Sequence, residues 1–124
     1  MKTNELKGAA LDWAVAKADE ERDVLFCQRQ YGRLIVRVPC TDGGRVAEWP
    51  YAPSTEWAQG GPIIEREGVT LTQYDDYPNW SATLYATDYN EHKAATGPTP
   101  LIAAMRCYVA SKLGDDINIP EEWL

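Results

Sequence analysis

A single histidine, three cysteines and nineteen acidic residues are the chemistry-bearing stock of this 124-residue sequence. Nucleophilic catalysis needs a serine or cysteine held beside a base. His92 is the lone base of the usual kind, and it lies in a polar segment where a surface histidine is the plainer explanation. Paired carboxylates do general acid–base work when one of them is held in an apolar setting. Glu65, Glu67, Asp75 and Asp76 qualify by type, but a chain this rich in acids produces such pairs by chance. There is no GxSxG, no HExxH and no Walker loop. Cys27, Cys40 and Cys107 form no CxxC pair, and a disulfide framework or zinc site needs more ligands at tighter spacing. Three reduced, mostly buried thiols are expected. No catalytic residue, metal or cofactor is therefore assigned, and the chain reads as a binder rather than an enzyme.

Two constellations suit binding. Thr96-Gly97-Pro98-Thr99-Pro100 opens a helix, and a helix N-terminus offers free N–H groups and partial positive charge to an anion. Thr99 is the expected cap, and Arg106, two turns in, adds a full charge if it faces the same pocket. The structural alternative is a well-capped helix with a surface arginine. The second constellation is the Trp/Gly/Pro-rich stretch Pro53 to Glu67. Trp57, together with Trp80 further on, supplies flat surfaces for stacking a base. Gly60 and Gly61 let a ligand approach the backbone, and Arg66 can pair with a phosphate. The alternative there is a satellite core under a long loop, with the glycines serving only the turn.

The elements that must position these groups fit one domain spanning 1–124. Length allows a single core, and 44% hydrophobic with 25% charged residues is ordinary for a globular protein. Five Trp and seven Tyr against one Phe favour half-buried and ligand-facing surfaces. A net charge of −7 repels duplex nucleic acid, though a locally positive pocket can still hold a small phosphorylated ligand. No apolar run approaches a membrane span and no export signal is visible, so the cytoplasm is expected.

The spacing predicts a helix over Glu5 to Ala18, capped by Thr3 or Asn4, with Leu6, Ala10, Trp13 and Lys17 in one row. Strands follow over Val24 to Gln30 and Arg33 to Val38, joined by a Tyr31-Gly32 turn. Leu34, Val36 and Val38 alternate as the inward set, and Thr41 to Gly44 reads as another turn. Val46 to Gly68 reads as a long loop holding at most one helical turn over Glu56 to Gln59, broken by Gly60-Gly61-Pro62. Strands over Val69 to Gln73 and Trp80 to Ala86 flank a turn at Asp75 to Asn79. Thr87 to Gly97 reads as polar loop with a short helical piece around Glu91 to Ala95. The last helix is the clearest: Thr99 at the cap, Pro100 at the first position, a Leu101, Ile102, Met105, Val109, Leu113 stripe, and Gly114 at its end. Ile117, Ile119 and Trp123 are left to pack from the tail. The expected fold is α+β, a small antiparallel sheet of about four strands with a helix from each end of the chain.

The stretches PSTEWAQGGPIIERE (Pro53 to Glu67) and TGPTPLIAAMRCYVASKLGDDINIP (Thr96 to Pro120), with the opening MKTNELKGAALDWAVAKA, resemble the NinX-like family of small bacteriophage proteins. The resemblance spans nearly the whole chain and transfers no catalytic residues. It implies an accessory protein made in the cytoplasm of an infected bacterium. In that setting the expected function is evasion of host defence by sequestering a nucleotide-type immune signal, such as a cyclic oligonucleotide. The expected partners are that small phosphorylated ligand and further copies of the chain in a homo-oligomer, with neither duplex nucleic acid nor membrane. The competing expectation is an acidic protein–protein effector acting on a host DNA-binding or defence protein.

Overall fold

The computed structural model describes residues 1–19, 26–30, 33–39, 46–73, 78–85 and 92–123. Three helices are present among them: α1 (Gly8–Ala18), α2 (Trp57–Glu67) and α3 (Pro100–Leu113). Six strands accompany them: β1 (Phe26–Gln30), β2 (Arg33–Pro39), β3 (Val46–Pro50), β4 (Thr70–Thr72), β5 (Trp80–Tyr85) and β6 (His92–Gly97). The fold class is α+β as expected, but the strands form two three-stranded antiparallel sheets, β1-β2-β3 and β4-β5-β6, and not one sheet of four. The register Gln30↔Arg33 leaves two residues to join β1 and β2. The Tyr31-Gly32 and Thr41 to Gly44 turns, and most of the turn after β4, lie outside the described residues.

α3 is the centre of the molecule. Thr99 caps it, its Oγ1 accepting from the Ile102 amide at 3.1 Å, and Pro100 takes the first turn where no N–H is needed. Of the expected stripe, Leu101, Met105 and Val109 are buried, Ile102 is partly so, and Leu113 is exposed. Burial goes well beyond that stripe, because α3 is covered on two sides. On one side Met105, Tyr108 and Val109 pack with Leu6, Leu11 and Val15 of the N-terminal segment, Leu34, Tyr51, Ile63 and the tail residue Trp123. Ile117 and Ile119 join that cluster as expected. On the other side Ala103 and Cys107 meet Ala82 of β5 and Ala95 of β6, flanked by Trp80 and Leu84. Small residues on both faces let the helix lie close to the sheet. Cys107 is a buried free thiol, pushed up to about 11 by burial.

Three expectations fail for identifiable reasons. The first helix starts at Gly8 and not at Glu5, because Thr3–Glu5 form a 3-10 turn and Gly8 turns the chain at φ 58°. Thr3 and Asn4 do not cap it. The Thr3 hydroxyl donates to Gly114 O at 2.7 Å, and Asn4 Oδ1 accepts from the Thr96 amide at 3.0 Å, so both tie the chain's start to the C-terminal half. Lys17 lies exposed with its ammonium 5.5 Å from the Trp13 ring, an outer-face contact and not a core row. Second, the long loop holds β3 and the eleven-residue α2, which runs through Gly60-Gly61-Pro62 without breaking. Pro62 sits on the exposed side, and packing of Gly60 and Ile63 holds the helix where propensity alone would end it. Third, His92 to Gly97 is strand β6, not loop or helix. Six register pairs with β5 and burial of Ala95 and Gly97 against α3 override its polar composition.

Gly60 also shows why a side chain is absent there. A Cβ at this position would run into the carbonyl oxygen of Pro53 and come within 2.6 Å of the Leu101 side chain. We expect Gly60→Ala to cost about 2 kcal/mol by overpacking, measurable as a lower denaturation midpoint. An unchanged midpoint would mean that α2 can shift away from α3 freely.

Candidate functional site

The segment between β3 and α2 folds back on itself. Gln59 holds it: its Oε1 accepts from the Ala52 amide at 2.6 Å, and its Nε2 donates to Pro50 O at 2.8 Å. Pro53 and Ser54 are buried by this reversal. The Ser54 amide then donates to Asp12 Oδ1 at 2.9 Å, which pins the segment onto α1.

Between these pieces lies an open groove of about 680 Å³. Its walls are Gly8, Ala9 and Asp12 of α1, Leu34 of β2, Trp49 and Pro50 of β3, then Tyr51, Ala52, Thr55 and Glu56, with Ala58 and Gln59 of α2. The volume falls in the range typical of small-molecule sites. Asp12 is 6% exposed, and its carboxyl is raised to about 6 by burial, with hydrogen bonding from Ser54 pulling the other way. A buried titratable group at a cleft wall has the physical character of a functional residue.

The sign of its effect on stability follows from that raised value. Folded Asp12 binds a proton that the unfolded chain has released between about pH 4 and 6, so this group favours folding at low pH. As pH rises through 6 the carboxylate must be held buried, and stability is lost. We expect Asp12→Asn, which keeps an oxygen for the Ser54 amide, to be more stable than the parent at pH 7 by about 2 kcal/mol. The advantage should vanish towards pH 4. Denaturation curves of both proteins across that range check it; parallel curves would show that Asp12 is not held out of water.

A second, smaller cavity of about 210 Å³ borders the same segment, lined by Ser54, Thr55, Trp57 and the residues that open α3, Thr99 to Ile102. Thr55 borders both spaces. Trp57 and Thr99, two of the expected site residues, thus line one cavity. Trp57 is 56% exposed, a large apolar surface facing outward. Gly61 is in α2 with only the Trp57 ring within 4.0 Å of where a Cβ would stand.

The remaining expected residues lie elsewhere or are engaged. Gly60 is closed in by Pro53 and Leu101, so no ligand meets its backbone. Arg66 Nη2 donates to the Tyr108 hydroxyl at 3.2 Å and pairs with Asp19 at 3.5 Å, within the fold. Trp80 packs beside α3 in the second cluster. Arg106 sends Nε to Leu6 O at 2.7 Å and Nη1 to Thr96 O at 2.8 Å. At the start of α3 the Ile102 and Ala103 amides are already taken by Thr99, which leaves little for an anion. His92 is exposed with its ring 5.9 Å from Tyr85. Among the described residues no group of three metal-ligating side chains assembles, and no helix is long and apolar enough to cross a membrane.

Sequence reasoning passed over Asp12, Trp49, Tyr51 and Gln59. Asp12 carried no local signal: it is the one acid in the alanine-rich run from Gly8 to Ala18, but that helix also has an exposed face, at Lys17, where an acid could sit. The groove as a whole carried none, because it depends on a reversal of residues 50–56 that no periodicity marks.

The family model described as Bacteriophage P22, NinX matches residues 2–112, most of the chain, and the protein belongs to that family. A search of curated proteins finds no match.

Proposed function

We propose that this NinX-family protein is a phage accessory protein that binds a small ligand without converting it, and that the ligand is a nucleotide-type host signal, a cyclic oligonucleotide, withdrawn from anti-phage defence in the infected cell's cytoplasm. The observation that carries the reading is the groove itself: about 680 Å³, walled by Trp49 and Tyr51, with a buried carboxyl at Asp12. Aromatic walls suit a base, and a few fixed polar groups set its orientation. Through Thr55 the groove adjoins the Trp57 and Thr99 cavity, which gives a ligand larger than one base a second place to rest. Further copies of the chain in a homo-oligomer would enclose such a ligand more fully.

Native mass spectrometry of protein purified from infected cells tests this directly. A released compound of nucleotide size, intact after incubation with fresh protein, is expected. Its absence, together with no heat of binding for a panel of cyclic di- and trinucleotides, would overturn the proposal, and products of cleavage would make the protein an enzyme. Trp57 also favours a second reading, since a tryptophan 56% exposed on a chain of net charge −7 suits a basic protein partner. One stoichiometric host protein recovered with the chain, and lost in Trp57→Ala, would put that reading first.

A further inference from the structure

The charge of the groove's described lining is one-sided. Among the described residues its two charged side chains are carboxylates, Asp12 and Glu56, and no described lysine or arginine lines it. The one side-chain amide among its described residues, Gln59, has its N–H directed to Pro50 O and its oxygen to the Ala52 amide. Thr55 Oγ1 donates to Ala52 O at 3.4 Å. Trp49 and Tyr51 bring an N–H and an O–H to the walls, but the strongest polar group the described lining offers a ligand is the Asp12 carboxylate. An ionised carboxylate accepts at about four lone-pair sites, and Ser54 takes up part of them, its amide bonding Oδ1 at 2.9 Å. Trp49, half-buried against the main core, gives the groove a flat apolar wall. Among the described lining residues a phosphate meets no cation and has two negative charges to avoid.

We propose that the groove selects a flat ligand presenting two adjacent N–H donors, a guanine-type base edge or an amidine, and that Asp12 is the acceptor that reads them. The guanine case rests on the nucleotide reading above and refines it: the base enters the groove and the phosphates stay outside. An adenine presents an acceptor beside its donor and leaves a carboxylate oxygen facing a lone pair. Hypoxanthine keeps the ring N–H and lacks the amino group. A mismatch at a buried polar site costs more than a missing contact, because the site's own group is left unpaired.

Isothermal titration calorimetry with guanosine, inosine, adenosine and benzamidine tests the inference at pH 7.5, where Asp12 is ionised. Guanosine and benzamidine are expected to bind at least tenfold more tightly than inosine and adenosine. Asp12→Asn should remove that preference by the same factor. Ala58→Phe, on an exposed groove residue, should block both ligands while leaving the circular dichroism spectrum unchanged, and it decides the matter if the Asp12 variant misfolds. If guanosine and adenosine bind alike and neither variant matters, the inference fails while nucleotide capture stands. Asp12-dependent binding of benzamidine with no nucleotide bound would uphold the donor-edge assignment and remove the nucleotide reading. Binding of neither guanosine nor benzamidine overturns it.

Discussion

Tyr108→Ala is expected to remove about 3–5 kcal/mol of stability, a large share of the roughly 5–15 kcal/mol by which domains of this kind are stable. The ring is 1% exposed and sits in the main cluster where α1, α2 and α3 converge. Its hydroxyl donates to Ala18 O at 3.2 Å, which holds the end of α1, and accepts from Arg66 Nη2 at 3.2 Å, which holds the end of α2. The Arg66 guanidinium also lies 5.7 Å from the ring centre. Burial, reinforced by the nearby charge of Asp19, pushes the hydroxyl up to about 12, so it stays a donor at any physiological pH. Tyr108→Phe keeps the ring and should lose only about 1–2 kcal/mol. Urea denaturation of the two variants separates the contributions. Equal losses would place the energy in the hydroxyl network and not in the packing of the ring.

The contrast between α3 and α2 shows what local sequence can carry. Thr99, Pro100 and Gly114 mark the ends of α3 by chemistry that acts within one turn, and the helix stands where those signals put it. α2 holds two glycines and a proline, residues that favour other conformations in an isolated chain. It persists because Gly60 fits under Pro53 and Leu101, contacts with residues 7 and 41 positions away. β6 is a similar case. Lys93-Ala94-Ala95-Thr96 has weak strand preference, yet the strand has β5 on one side, the Asn4 side chain bonded to the Thr96 amide, and α3 beneath it. Composition reports what a segment prefers alone, and these segments are decided by what they touch.

The site divides along the same line. Trp57 and Thr99 were legible because an aromatic in a loop-like stretch and a capped helix start are local features, and they do share a cavity. The two arginines were assigned by charge alone. Charge does not reveal that other groups of the fold have already claimed the donors, two carbonyls for Arg106, and the Tyr108 hydroxyl with the Asp19 carboxylate for Arg66. Asp12 was hidden by the opposite logic: it sits among alanines in α1, and only the reversal that brings Ser54 over it makes it a buried acid at the wall of a groove.

Arg106 gives that argument a measurable form. It spans two carbonyls that come from distant parts of the chain, Leu6 before α1 and Thr96 at the end of β6, at 2.7 and 2.8 Å. Burial lowers its pKa from the ordinary value, the mark of a guanidinium drawn out of water to make these bonds. Arg106→Ala strands both carbonyls, Leu6 being fully buried, and we expect a loss of about 3 kcal/mol from two charge-assisted hydrogen bonds. Arg106→Lys should recover little, since an ammonium has no planar fork to hold two acceptors at once. Urea denaturation measures both. The same variants, studied at a temperature where they remain folded, should bind a captured nucleotide within about threefold of the parent, because the fork is committed to the fold. A tenfold loss of affinity with stability intact would return Arg106 to the role its charge first suggested, and would mean that the staple opens when an anion arrives.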